Sequence, residues 1–293
     1  MTRQGRAALL FTMPVLLATG LVLVVPTIGA LLLSVTDFDI YALADLRNLG
    51  FVGAGNFVEL VRTPLFWRAV ANTLLFAAIG VPAAIGMSLA AALLLDATTI
   101  RWKPLWRLLL FAPFVSTLVA TALVWRYVLD ARTGLLNYAL SLAGIAPVDW
   151  LGSPRTSIPA TLLFIVWKVF GYNMLVFIAA LSTVPQDLHE AARLDGAGAW
   201  ARFRHVTLPA IGPALLLAAV LSVANFLQIF TEPYVMTHGG PAQSTVTILY
   251  FMFDQGFTWW NLGMASAVAV LLFLAIMVVT AVQVRFARRY EWL

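Results

Sequence analysis

Apolar residues in this chain fall into six long runs, 8–33, 72–95, 105–129, 158–181, 208–229 and 264–284, separated by shorter polar stretches. About 20 apolar residues are needed for a helix to cross a hydrocarbon core of about 30 Å. The pattern therefore predicts an all-α membrane protein with six transmembrane helices. The first run is too long for the apolar core of a secretory signal, and no small-residue cleavage site follows it, so it is expected to remain as an anchor over 1–34. A polar segment over 35–70 follows, and the other five runs form a core over 71–293. Within the runs, Gly80, Pro82, Gly86 and Pro113 predict loosened or kinked helices, serving either as hinges or as packing features.

Composition agrees with the pattern. Of the 293 residues 62% are hydrophobic and 11% charged, with a mean hydropathy of +0.92, well outside the range of soluble domains. The net charge of +5 in so apolar a chain is not a nucleic-acid signal, and its distribution decides topology instead. With the N-terminus inside, eleven basic residues face the cytoplasm: Arg3, Arg6, Arg101, Lys103, Arg107, Arg193, Arg202, Arg204, Arg285, Arg288 and Arg289. Six face outward and Lys168 lies within a run. The positive-inside rule then puts both termini in the cytoplasm and 35–70 outside.

The same orientation places the polar loop 186–213 inside. It carries Glu190, Ala191, Ala192, Asp195 and Gly196, then Val206, Leu208 and Pro209. Leu188 to Leu194 suits a short helix on which two alanines allow another protein's backbone to come close. Gly196 permits a turn. A second helix over 197–206 would carry Trp200, Phe203 and Val206 as an apolar stripe, and Pro209 and Pro213 suit the opening of the next span. This spaced set resembles the EAA signature of the membrane subunits of binding-protein-dependent ABC importers, with Val206 where that family usually has isoleucine. The resemblance implies a type I ABC importer (MetI-like) permease fold with cytoplasmic coupling helices, its core spanning 71–293, in a bacterial inner membrane. It also implies that an ATPase docks on Glu190, Ala191, Ala192, Asp195, Gly196, Leu208 and Pro209.

Other spaced sets extend the likeness. Phe51, Gly53, Asn56 and Phe57, with Phe66, Trp67, Asn72 and Thr73, resemble the FxGxxNF and FWxAxxNT patterns of sugar permeases. Thr133 to Asn137 match the TGLLN pattern of the maltose-type first permease subunit, and could equally lie on the membrane as an interfacial helix. Gly239, Gly240 and Pro241, followed by Ser244 and Thr245, resemble the GGPxxxT loop of carbohydrate permeases, which implies a fixed turn facing a binding protein. Glycerol-3-phosphate permeases share these features. The implied partners are a second homologous permease, two ATPase subunits, an extracytoplasmic solute-binding protein and membrane lipid.

Enzyme chemistry finds no support. His189 and Glu190 begin an HExxH pattern, but Arg193 stands where the second histidine would be. No GxxxxGK[ST] stretch can cradle a nucleotide, so ATP and Mg would belong to a partner chain and no cofactor to this one. The six runs contain no aspartate or glutamate, which weighs against the alternative of a proton- or sodium-coupled secondary carrier acting without an ATPase. Polar residues cluster at Lys168, Tyr172 and Asn173 and at Ser222, Asn225 and Gln228. By the maltose-type resemblance Tyr172, Asn225 and Gln228 contact a sugar or sugar-like solute, with Trp167 and Phe226 as further rings. The amides equally suit interhelical hydrogen bonds to the partner permease. Lys168, costing about 2.5 to 3.5 kcal/mol at a span centre, should face a partner, a wet cavity or solute, and would favour an anionic solute such as a glycerol phosphate or other phosphorylated polyol.

Overall fold

The structure, a computed structural model, describes residues 3–97 and 100–289, with side chains from residue 11 onward apart from Leu46. The side chains of Arg3 and Arg6, assigned above to the inner side, and residues 290–293 of the expected core fall outside that description. Among the described residues four helices are long and apolar enough to cross a membrane alone, and two bent pairs bring the number to six. The six runs of the sequence coincide with these six among the described residues.

The chain divides into two compact units, Met1–Trp67 with Phe251–Leu274 and Arg68–Tyr250 with Ala275–Leu293. In the first, α1 (Arg3–Thr19) passes through a π-turn into α2 (Val25–Leu33). None of the apolar window of this span is buried by its own chain, so lipid or another protein must cover it. The Asp39 carboxylate caps α3 (Ile40–Ala44) by accepting from the amides of Tyr41 and Ala42 at 2.9 and 3.0 Å. Next, α4 (Gly55–Arg62) places Asn56 where its buried amide donates to Ser34 O and Thr36 O, both at 2.8 Å. These carbonyls lie at the end of α2, where helical partners run out.

A single helix, α5 (Pro64–Asp96), crosses with 33 residues, about 50 Å at ~1.5 Å per residue. It continues through Pro82. A Cβ on Gly80 would run into the ring of Phe226, so that glycine is a packing notch.

The third span is α6 (Lys103–Val115) and α7 (Leu118–Val128), bent by 99°. Ser116, three residues past Pro113, is extended and ends α6. A short amphipathic helix, α8 (Leu135–Leu142), precedes α9 (Ser157–Leu181), the most buried of the spans. Apolar around most of its circumference, α9 packs into both clusters of the second unit. Phe164 joins Phe76, Leu129 and Phe226 in one cluster, and Met174 and Phe177 join Ala92 and Ile211 in another.

The loop expected between the fourth and fifth spans forms α10 (Gln186–Leu194), α11 (Ala199–Arg202), a π-turn and α12 (Leu208–Ala210). A 71° bend leads into α13 (Gly212–Leu227), with Pro209 and Pro213 at helix openings where a missing amide costs little. After α14 (Thr231–Met236) and α15 (Ile248–Phe253), α16 (Leu262–Arg289) completes the fold.

Candidate functional site

Ala191 and Ala192 stand on α10, with Glu190, Ala191, Asp195 and Gly196 exposed and Ala192 half-buried. The helix ends as its sequence predicts. Gly196 takes φ +78°, its amide donates to Arg193 O at 3.0 Å, and the Ala197 amide donates to Ala192 O at 2.9 Å. This pair of bonds is the Schellman arrangement, which needs a residue comfortable at positive φ. The Arg202 guanidinium donates to Ala197 O at 3.2 Å and ties α11 to the turn. Leu188, Leu194 and Trp200 present apolar surface beside the alanines, 49, 89 and 70% exposed. Leu208 is half-buried and Pro209 exposed at the foot of the fifth span. Between these helices and the ends of α5 and α9 lies a cavity of about 1180 Å³, walled by Glu190, Arg193 and Trp200 among others.

Three of the sequence patterns turn out to be built around a buried asparagine or threonine. In the TGLLN stretch the Asn137 amide group donates to Ala131 O and Val148 O at 3.0 and 2.9 Å, and its oxygen accepts from the Val148 amide and Trp150 Nε1 at 3.1 and 3.0 Å. Asp130, just before it, accepts from the Thr133 and Arg132 amides, which hold its carboxyl below the ordinary carboxylate range. Asn72 donates to Gln243 O and Val246 O at 3.1 and 2.9 Å, and the Ile248 amide donates to Thr73 Oγ1 at 2.9 Å. The asparagine and threonine of one pattern thus hold the GGPxxxT loop of another. Gly239 in that loop is buried at φ +76°, where a Cβ would lie 2.9 Å from Val246 Cγ2. Gly240 and Pro241 are half-buried, and the exposed rim of the turn is Ala242 and Gln243.

The remaining predicted residues converge on one place. A cavity of about 690 Å³ is lined by Lys168, Tyr172, Asn225 and Gln228 together, with Phe114, Ser116, Ser222 and Phe226. Asn225 and Gln228 are exposed to it, and their side-chain amides make no hydrogen bond among the described residues. Gln228 sits at the C-terminal cap of α13, where the chain leaves the helix. Tyr172 is 37% exposed and stacks on Phe114, ring centroids 5.0 Å apart. Asn173, buried in the cavity wall, donates to Ser222 Oγ at 3.1 Å, joining α9 to α13. Trp167, offered by the sequence as a further ring for solute, packs instead on Trp125 and Phe164 at 5.2 and 6.4 Å, because the apolar interior of the second unit surrounds that side of α9. Phe226 lines the cavity but is 1% exposed, held in the notch at Gly80.

Two residues behave in ways the sequence did not disclose. Glu232, on α14, lines the cavity although it lies three residues beyond the fifth apolar run, so a count of acids within the runs passes over it. The ammonium of Lys168, 6% exposed, is within hydrogen-bond reach of Pro113 O and Ser116 O, both at 2.6 Å, and of Ser116 Oγ at 3.1 Å. No group of three or more His, Cys, Asp or Glu side chains able to hold a metal occurs among the described residues. The arrangement offers unpaired amides, an exposed phenol and a stacked ring, a set suited to hydroxyl groups and apolar sugar faces.

Comparison with known proteins bears on the same chain length. The family profile described as "Binding-protein-dependent transport system inner membrane component" matches residues 9–292. SmoG of Agrobacterium fabrum, a sulfoquinovosyl glycerol transport system permease protein, is 34% identical over 282 residues, 96% of this chain and 90% of its own. LacF of Rhizobium radiobacter, a lactose transport system permease protein, is 34% identical over 245 residues, 82% of each chain. In a crystal structure of a bacterial ABC transporter involved in the import of the acidic polysaccharide alginate, one chain matches with a TM-score of 0.81, at 23% identity, covering 97% of this chain and 96% of that one. The same transporter in complex with an alginate pentasaccharide-bound periplasmic protein gives the same TM-score.

Proposed function

The chain belongs to the family of binding-protein-dependent transport system inner membrane components, and we propose that it forms one half of the solute pathway of an ATP-driven importer for a sugar or sugar-like solute. The fold is that of a type I ABC importer permease. The 690 Å³ cavity carries the proposal about solute, because Asn225 and Gln228 leave their donors and acceptors open beside Tyr172. The buried amides of Asn137 and Asn173 are paired, as desolvation requires, so open ones facing a cavity point to an exchangeable partner. The relatives named for lactose and for sulfoquinovosyl glycerol support a carbohydrate-like solute.

In this reading a second, homologous permease completes the pathway and an extracytoplasmic binding protein delivers solute to the outer face, near the rim of the GGPxxxT turn at Gly239, Gly240 and Pro241. Of two ATPase subunits, which carry ATP and Mg, one docks on the cytoplasmic loop of this chain. Both chain termini are cytoplasmic, as the basic residues suggest. Ala191 and Ala192 seat the ATPase surface closely, Glu190 offers it a carboxylate, and Asp195 with Gly196 ends α10 sharply. Leu208 and Pro209 join the loop to the fifth span, so a pull on α10 reaches Asn225 and Gln228 through α13. Solute then moves by alternating access.

The test is to purify the chain from its native membrane in mild detergent and identify what accompanies it, beside an Ala191→Asp variant. An ATPase and a second permease should copurify with the parent. In the variant the ATPase should be lost and binding-protein-stimulated ATP hydrolysis abolished, with membrane insertion intact. Recovery of the chain alone, under conditions that preserve known complexes, would refute the importer assignment, and unaltered stimulation in the variant would refute the docking role.

A further inference from the structure

We propose that Lys168 is a positioning residue that clamps the broken third span to the fourth and thereby sets the wall of the solute cavity, and that it does not bind solute. An ammonium has three N–H donors. Here four acceptors meet it, Pro113 O and Ser116 O at 2.6 Å, Ser116 Oγ at 3.1 Å and Phe114 O at 3.5 Å, which leaves no donor for a ligand. These acceptors exist because the span is broken. In a continuous helix Pro113 O would take the amide of residue 117, but the extended backbone at Ser116 and the 99° bend leave the last carbonyls of α6 without helical partners. A cation placed on that end also meets the negative pole of the helix.

The clamp has a second and third point. Gly171 and Tyr172, three and four residues on, share the face of α9 that carries Lys168. A Cβ on Gly171 would collide with Leu110 O, so glycine lets the two backbones touch, and Tyr172 stacks on Phe114. Phe114, Ser116 and Leu118, on both sides of the break, line the cavity. Glu232 shares the cavity but lies beyond the 4 Å of an ion pair with Lys168, so the partners of Lys168 in contact are oxygens of the end of α6 and of its cap, Ser116. Whatever holds the break in place holds that wall. The statement about solute rests on the permease assignment above; the clamp itself does not.

The chain has no cysteine, so a single Leu118→Cys reports on the wall without background from this chain, which is resolved from its partners on a gel. In the purified complex the rate of N-ethylmaleimide labelling at that thiol is compared between the parent, Lys168→Met and Lys168→Arg. Loss of charge-assisted hydrogen bonds should change the rate in Lys168→Met about tenfold or more, and Lys168→Arg, which keeps the charge and several donors, should return it toward the parent. Reconstituted uptake of a neutral probe, lactose, and an acidic one, an alginate oligosaccharide, should fall by the same factor in Lys168→Met. An unchanged labelling rate, or a loss confined to the acidic probe, overturns the proposal. If Lys168→Met does not assemble, Lys168→Gln, uncharged and one bond shorter, is read in the same way. Should the parent transport neither probe, the solute assignment fails while the labelling rate still decides the clamp.

Discussion

Replacing Gly171 by alanine probes the closest approach between the third and fourth spans. The added Cβ would lie 3.0 Å from the Leu110 carbonyl carbon and 3.0 Å from Phe111 Cα, and nearer still to Leu110 O. Carbon atoms rest at ~3.5–4.0 Å, and these are backbone atoms that no rotamer change can move, so α6 must retreat by roughly 0.5–1 Å. The 2.6 Å bonds from Lys168 to Pro113 O and Ser116 O would stretch with it, to or past the ~3.2 Å limit of a good N–H···O bond. Overpacking of this kind costs about 1–3 kcal/mol, which for a chain of this size lowers the unfolding midpoint by about 2–12 °C. The assay is thermal unfolding of the purified complex in detergent, with Gly86→Ala as control. Nothing lies within 4 Å of a Cβ at Gly86, so alanine there should be neutral, or stabilising by roughly 0.5–1 kcal/mol through helix propensity. If Gly171→Ala melts with the parent, or Gly86→Ala falls as far, the close packing of α6 on α9 is refuted.

Two more substitutions test the cytoplasmic and outer loops. Gly196→Ala meets no steric neighbour but puts a side chain at φ +78°, costing about 1 kcal/mol at the end of α10; stimulated ATP hydrolysis should fall, and Gly196→Asn, which tolerates that conformation, should recover most of it. Equal activity of all three would mean that the Schellman turn does not matter to docking. Asn137→Ala strips partners from the Val148 amide and carbonyl and from Trp150 Nε1, about 2–4 kcal/mol in total. Trypsin should then cut faster at the exposed Arg132 and Arg155, and parental cleavage rates would argue that the loop is held by other contacts.

The six spans were legible in the sequence, since any helix crossing hydrocarbon must be apolar along about 20 residues and local composition records that directly. The turn at Gly196, the prolines at helix openings and the short helices of the cytoplasmic loop were legible for the same local reason. Even the polar set that lines the cavity, Lys168, Tyr172, Asn173, Ser222, Asn225 and Gln228, could be named, because polar side chains are scarce within the runs and stand out.

What each polar residue does was decided only by the tertiary structure. Asn72 meets its acceptors 171 and 174 residues away, and Lys168 meets Pro113 and Ser116 at separations of 55 and 52. No local pattern encodes such distances. Gly80 reads equally as a hinge or a packing feature until Phe226 is placed against it, and Gly171 reads as nothing until Leu110 is. Glu232 escaped a count made run by run because the cavity is bounded by a helix that starts after the fifth run ends. The sequence by itself determined which segments enter the membrane, a matter of transfer free energy summed along contiguous residues. The fold decided which carbonyls a break exposes, which amide or ammonium covers them, and which polar groups are left open. Hydrogen-bond satisfaction in a low-dielectric interior depends on partners brought together from distant parts of the chain.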